Sequence, residues 1–385
     1  PVVPGMHFNT VQKTIAWKLD NTVQLPTNKN DLAFYTLEQL ASLIKNKKIS
    51  SLALTQFFID RIKKWGDTLQ CVISIQEDIA YAEAKKADAE LAQGKYRGLL
   101  HGIPYGLKDL FAVKGTKTTW GAAPYQNQII EEDAFVYTKL RDAGAVLVAK
   151  FTLGALAMGD YWYGGRTKNP WNLNYGSSGS SAGSTSATVA GLVPFAIGTE
   201  TWGSIVSPST TCGATGLRPT FGSISRSGAM ALSYSLDKVG PICRSAADAA
   251  IVFNYIHGTD GKDGSAVNMP FNYTPNKDIK KLKIGYAKNY FDKIKDTSRN
   301  EFKVLEEFKK LGVQLIPVNF PDSGVYNFNI MDVVIGVECA AQFDEMTRMN
   351  IDDALTRQTK NDWPNSFRTA RFVPAVEYIN AQRHR

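Results

Sequence analysis

Histidine is scarce in this chain, with four residues in 385, so a catalytic histidine has few places to come from. Cysteine is equally sparse, at 71, 212, 243 and 339. No CxxC pair occurs, and the spacing supplies neither a zinc site nor a disulfide framework. Scattered thiols of this kind suit a reducing compartment. No apolar run reaches 18 residues, so no transmembrane helix is expected, and no secretory signal is visible. The chain begins at Pro1 rather than Met, which leaves a removed leader open. The expected location is cytoplasmic, or periplasmic if a signal peptide has been cleaved. Internal repeats and extended low-complexity tracts are missing, which excludes solenoids. Charge is not of one sign: 44 basic against 36 acidic residues leave a net +8. The lysines are spread out, densest at Lys277–Lys283, so the excess reads as solvated surface rather than a nucleic-acid footprint.

What is present is an ordinary globular composition, 44% hydrophobic and 21% charged. Residues 1–30 are polar and irregular, and 1–35 are taken as an N-terminal extension to a domain over 36–385. Helices are expected over Leu37–Lys47, Ser51–Trp65 and Glu77–Gln93. The second carries Leu54, Phe57, Phe58, Ile62 and Trp65 on one face, the third Ala80, Ala84, Ala87 and Leu91. Val136–Ala143 reads as a helix ended by Gly144. Ala145–Ala149, Val193–Ile197, Leu282–Tyr286 and Val313–Val318 read as strands, with a helix over Asp296–Leu311. Short apolar strands between helices imply a sheet covered on both faces. The expectation is one large α/β/α domain with a mixed central sheet. Residues 258–280, rich in Gly, Asn, Pro and Lys, read as a surface excursion.

The chemistry concentrates in Tyr175–Pro208, where one Gly/Ser cluster spans 176–186 and another surrounds Gly203-Ser204. A flexible linker would not run directly into Ala182–Ala190 and Leu192–Ile197. A phosphate loop would need Gly-Lys-Ser/Thr, and the cluster has no lysine. Gly179-Ser180-Ser181-Ala182-Gly183 matches G-x-S-x-G, which would make Ser181 an elbow nucleophile. The elbow requires a preceding strand, and Lys168–Tyr175 reads as loop. It also requires a later histidine, and only His257 and His384 follow. The reading that uses every feature joins both clusters to Lys108 in GIPYGLKDLF. A buried lysine loses its proton readily and can serve as a base for a serine hydroxyl. Gly203-Ser204 would offer a hydroxyl together with clustered backbone N–H groups for an oxyanion. His101 reads as a structural histidine, since Lys108 already fills the base role.

These segments resemble the amidase signature family, from about Leu37 to Arg385. The likeness is densest over Gly102–Asp109, Gly144–Lys150 and Asn169–Pro241, and includes the phrases CGATGLRPT at Cys212–Thr220 and DKVGP at Asp237–Pro241. The resemblance implies the family's α/β fold and an amide hydrolase working through a serine acyl-enzyme. Residue by residue, it makes Ser204 the nucleophile, Ser180 the relay serine after a cis peptide bond, and Lys108 the base. Thr201, Trp202, Gly203 and Ser204 match the oxyanion-hole positions, and Ser181 a supporting serine. No metal and no organic cofactor are implied. The partner expected is a small-molecule amide, with neither nucleic acid nor membrane, and a homodimer is compatible with it.

This chain also departs from the pattern. Glu200 stands where many members have Asp, Trp202 where they have Gly, and Val206 where they have Arg. Trp202 is read either as packing or as a wall of the acyl pocket. Tyr161, Trp162 and Tyr163 are read either as pocket lining or as core. The family ordinarily continues well beyond the last residue here, so the domain is expected to be incomplete at its C-terminus. Two other functions compete. One is the glutaminase subunit of a tRNA-dependent amidotransferase, disfavoured by Trp202, Val206 and the segment Arg371–Arg385. The other is a non-catalytic scaffold, disfavoured by the intact Lys108, Ser180 and Ser204.

Overall fold

The computed structural model describes residues 11–13, 15, 17, 19–274, 278–321 and 328–385. Its first helices are α1 (Leu37–Lys45) and α2 (Ser51–Leu69). Thr36 and Gln39 close a reciprocal capping box on α1, and Ser50 caps α2. Then follow β1 (Val72–Ile75), α3 (Glu77–Ala92), β2 (Pro104–Lys108), α4 (Phe135–Asp142) and β3 (Val146–Phe151). The short strands β4 (Tyr161–Trp162) and β5 (Gly165–Arg166) form one hairpin. A second, of β6 (Lys168–Asn169) and β7 (Asn172–Gly176), occupies the segment read as loop. Side-chain carbonyls of Asn169 and Asn172 accept from the backbone two residues on, which turns the chain tightly there. Next come α5 (Ala182–Val189), β8 (Ala196–Glu200), α6 (Val206–Cys212), β9 (Thr215–Gly216), β10 (Lys238–Cys243) and α7 (Ala246–Ile256).

Six strands form one mixed sheet in the order β1-β3-β2-β8-β10-β9. The inner strands β3, β2 and β8 are parallel, and the outer pairings are antiparallel. Both faces are buried. Leu147, Tyr105, Leu107 and Ile197 join the core formed with α1, α4 and α7. Val146, Val148 and Ala196 join a second core with α3, α5 and part of α2. Neighbouring residues on β3 thus enter opposite cores, which is why the strand reads as a continuous apolar run. The strand expected at Val193–Ile197 lies three residues later. Leu192, Val193 and Phe195 are buried, but as irregular chain entering β8.

Helix α5 is built of small residues, AGSTSATV, almost all buried. Its hydroxyls are satisfied internally: Thr185 and Thr188 donate to the carbonyls of Ser181 and Ser184, and Ser184 donates to Ile197. Such back-bonding lets hydroxyl side chains sit inside a core. Gly198 on β8 lets this helix come close, because a Cβ there would lie 2.6 Å from Ser181 Oγ.

Contacts divide the chain into two compact units, residues 1–272 with 335–373, and 273–334 with 374–385. The second unit contains β11 (Lys283–Ala287), α8 (Lys288–Phe291), α9 (Asn300–Lys310) and β12 (Gln314–Val318). Its two strands pair in parallel with each other, not with the six-stranded sheet. The remaining helices are α10 (Ile330–Gln342), α11 (Asp344–Arg348), α12 (Trp363–Ala370) and α13 (Ala375–His384). No helix among the described residues is long and apolar enough to cross a membrane.

Candidate active site

Lys108 is the last residue of β2, and Glu200 the last of β8, its parallel neighbour. The candidate groups gather beyond these carboxyl ends, where open α/β sheets place ligands. Lys108 is fully buried. Its Nζ lies 2.8 Å from Ser180 Oγ, 2.9 Å from Thr199 Oγ1, 3.2 Å from Ser181 Oγ and 3.4 Å from Thr199 O. All four partners are neutral oxygens. Burial among them drives its pKa down from the usual 10.5 to about 7, with the charges of Asp237 and Glu200 opposing the fall.

The Gly179–Ser180 peptide bond is cis. Ser181 sits at the N-cap of α5 but does not cap it. Its hydroxyl donates instead to Thr199 O at 3.0 Å, and accepts from Thr199 N–H at 3.2 Å. That leaves its remaining acceptor capacity for Lys108. Thr199, which sequence reasoning did not single out, is therefore the hub of the network.

Ser204 is joined to this cluster through its backbone: Ser181 N–H donates to Ser204 O at 3.0 Å. The residue is 9% exposed. No hydrogen bond links the Ser204 hydroxyl to another described residue. Such bonds commonly tighten only when substrate arrives.

The turn carrying Ser204 is held from both sides. Glu200 Oε2 accepts from the N–H groups of Ile205 and Val206 at 2.8 and 2.9 Å, and Arg218 lies 3.5 Å from its other oxygen. Thr201 Oγ1 donates to Asp237 Oδ1 at 2.5 Å, and Lys238 Nζ donates to Thr201 O at 3.0 Å. Burial pushes the Asp237 carboxyl up, while its bonds to Thr201, Leu232 and Ser233 pull it back. Gly203 adopts φ +93°, a region that favours glycine. Between these anchors, the backbone N–H groups of Thr201, Trp202, Gly203 and Ser204 donate to no described protein acceptor. Trp202 is 48% exposed, so core packing does not account for it. Residue 200 tolerates Glu because the carboxylate has a defined task, bridging the two N–H groups that open α6.

A cavity of about 220 Å³ adjoins this turn, and its lining includes Thr199, Thr201, Asp237, Leu110, Met230 and Val239. Tyr161 lies elsewhere, beside Arg357 in a hollow with Asp160 and Trp363. His101 is buried, with Nε2 2.9 Å from Ala87 O. Among the described residues no group of three or more His, Cys, Asp or Glu is placed to hold a metal.

The sequence pattern of the amidase family matches residues 53–383. The chain is 41% identical over 294 residues to a glutamyl-tRNA(Gln) amidotransferase subunit of Coxiella burnetii, covering 74% of this chain and 61% of that protein. The same-named protein of Thermoanaerobacter pseudethanolicus is 36% identical over 302 residues, covering 76% and 61%. The chain thus spans about three-fifths of the length of these curated relatives. Among solved structures, the native peptide amidase of Stenotrophomonas maltophilia superposes with TM-score 0.77 at 27% identity, over 93% of this chain and 79% of that one. Pattern, relatives and superposition agree with the ordered motifs of the sequence: the chain belongs to the amidase signature family.

Proposed function

We propose that this protein hydrolyses a carboxylic amide C–N bond through a serine acyl-enzyme. Lys108, Ser180 and Ser204 carry the reaction. Neutral Lys108 takes the Ser180 hydroxyl proton, Ser180 takes that of Ser204, and Ser204 Oγ attacks the amide carbon. The N–H groups of Thr201, Trp202, Gly203 and Ser204 receive the oxyanion, and Ser181 holds Thr199 and Lys108 in place. Collapse of the tetrahedral adduct breaks the C–N bond, and the relay returns the proton to the leaving amine. Water then enters, gives its proton to the same relay and cleaves the ester, releasing the acid.

One observation carries this reading: Lys108 Nζ is buried, 2.8 Å from Ser180 Oγ, with a pKa brought to about 7. A lysine brought down into that range by burial is suited to general-base work near neutral pH. The test is ammonia release from a panel of simple and peptide amides, with Ser204→Ala as control. Release that persists in the variant would sink the assignment.

A second reading rests on the relatives. The Coxiella burnetii protein, 41% identical, is named as one subunit of a glutamyl-tRNA(Gln) amidotransferase. On that reading the chain would release ammonia from glutamine for a partner protein. Trp202 and Val206 count against it. Glutaminase activity that appears only with co-purifying subunits would decide for it. Failure of Ser204 to react with a fluorophosphonate would instead favour a non-catalytic scaffold.

A further inference from the structure

We infer that the cavity beside Thr199 and Thr201 is an acyl pocket for a neutral, apolar group, so that simple aliphatic or arylalkyl carboxamides are preferred over glutamine. The inference rests on the amide-hydrolase reading for its chemistry, but its geometry stands apart from it.

The pocket wall is a continuation of β2. Beyond Lys108, Ala112 N–H donates to Gly228 O at 2.8 Å and Met230 N–H to Leu110 O at 3.0 Å, with Phe111 bridged to Ala229. This pairing sets Leu110, Ala229 and Met230 just past the lysine. Ala157, Leu232 and Val239 complete an apolar surface. Thr201 is part of the lining and stands three residues before Ser204. An acyl carbon on Ser204 with its oxygen on the turn's N–H groups would direct its substituent inward.

Charged groups also line the cavity, but each is committed within the protein. Arg226 donates from Nε to Asp263 at 2.8 Å, and its two terminal nitrogens donate to Tyr234 O at 2.8 Å, Asp263 at 3.1 Å and Ser265 Oγ at 2.7 Å. Asp237 accepts from Thr201 Oγ1 and from the N–H groups of Leu232 and Ser233. Lys238 donates to Thr201 O. A substrate carboxylate entering here would lose its water and have to compete with Asp263 for Arg226 and with the Thr201 carbonyl for Lys238, and an ammonium would have to compete with the donors already on Asp237 and Asp263, which is unfavourable. An alkyl chain loses nothing and gains burial. At about 220 Å³ the cavity is smaller than the roughly 300–1,000 Å³ typical of drug-sized ligands, which sets a short length limit.

The experiment uses the chain as it stands, with kcat/KM measured for acetamide, butanamide, hexanamide and glutamine. Calorimetry of hexanamide and glutamine on Ser204→Ala reads binding without turnover. Each methylene that finds room should raise kcat/KM roughly fourfold, until the cavity is full. Glutamine should bind more weakly than hexanamide. Met230→Trp should lower hexanamide relative to acetamide by at least tenfold, and Met230→Ala should move the preference to longer chains. Circular dichroism would verify that both variants fold. A flat chain-length series, a preference for glutamine, or equal effects of both Met230 variants on all amides would overturn the pocket while leaving the hydrolase reading intact. Hexanamide binding that Met230→Trp abolishes, without turnover of any amide, would support the pocket and overturn the hydrolase reading. Neither binding nor turnover would overturn both.

Discussion

Two lysines sit side by side in this sheet in different surroundings. Lys108 ends β2, and Lys150 lies on β3 opposite Leu107 in the neighbouring register. Both are fully buried. Lys150 Nζ is 2.9 Å from Asp109 Oδ1 and donates to Thr118 Oγ1 and Lys117 O. Asp109 in turn accepts from the Thr119 N–H and hydroxyl. Burial lowers both lysines, but for Lys150 the carboxylate in contact opposes the loss of charge. Lys108 faces hydroxyls and a carbonyl instead. The lesson is that burial alone does not make a base. A buried lysine paired with a carboxylate is a strut, and one set among hydroxyls can accept a proton.

The sharpest break of this comparison replaces each lysine by Met. Lys108→Met should lower kcat about 10³- to 10⁴-fold, within the usual range for losing a general base. Its stability should hold or rise, since apolar replacement of a buried cation is often neutral or better. Lys150→Met should reverse the pattern. It leaves Asp109 buried without its cation and should cost about 3–5 kcal/mol of unfolding free energy. Adding Asp109→Asn should recover part of that. Urea unfolding and ammonia release on the same preparations separate the two effects. Equal stability losses for both lysines would erase the distinction.

The pH dependence sharpens it further. Lys108 acts as a base only when neutral, so kcat/KM should rise with pH through about 7 and level off above. Between about 7 and its usual 10.5 the folded group binds fewer protons than the unfolded one. Its contribution to stability therefore rises with pH across that window, being least favourable below 7. Lys108→Met should flatten the corresponding part of the stability profile. A wild-type activity profile without an acid limb near 7 would contradict the assignment.

Smaller effects are expected around the turn. Glu200→Gln keeps an acceptor for the Ile205 and Val206 N–H groups but loses its charge against Arg218. Charge-assisted bonds are roughly twice as strong as neutral ones, so kcat should fall about 10- to 100-fold with little change in KM. Thr199→Val removes one oxygen from Lys108 and should cost about 1 kcal/mol, roughly a fivefold loss of kcat/KM. A larger effect of Thr199→Val than of Glu200→Gln would shift the weight of the site from the turn to the lysine's surroundings.

Much of this was legible in the chain itself. Amphipathic spacing placed α1, α2 and α3 within a few residues of their ends. The Gly/Ser clusters and Lys108 pointed to the candidate site, and the structure brings Lys108 within hydrogen-bond distance of Ser180 and Ser181. Local signals served less well where tertiary pairing overrides them. Val193–Ile197 is as apolar as a strand, yet pairing with β2 and β10 starts three residues later. Lys168–Tyr175 looks like loop but closes a hairpin. Leu282–Tyr286 and Val313–Val318 read as further strands of the central sheet, while among the described residues β11 and β12 form a separate two-stranded sheet. Thr199 and the 228–239 wall were given no site role from the sequence, and Asp237 entered only within the phrase DKVGP, since their places beside Lys108 and the turn come from strand pairing. Sequence by itself determined the first three helices, their buried stripes and the residue types of the candidate cluster, because these depend on residue chemistry and short-range periodicity. Only the tertiary structure decided that Lys108 meets hydroxyls while Lys150 meets Asp109, because a lysine's partners come from strands and turns far away in the chain.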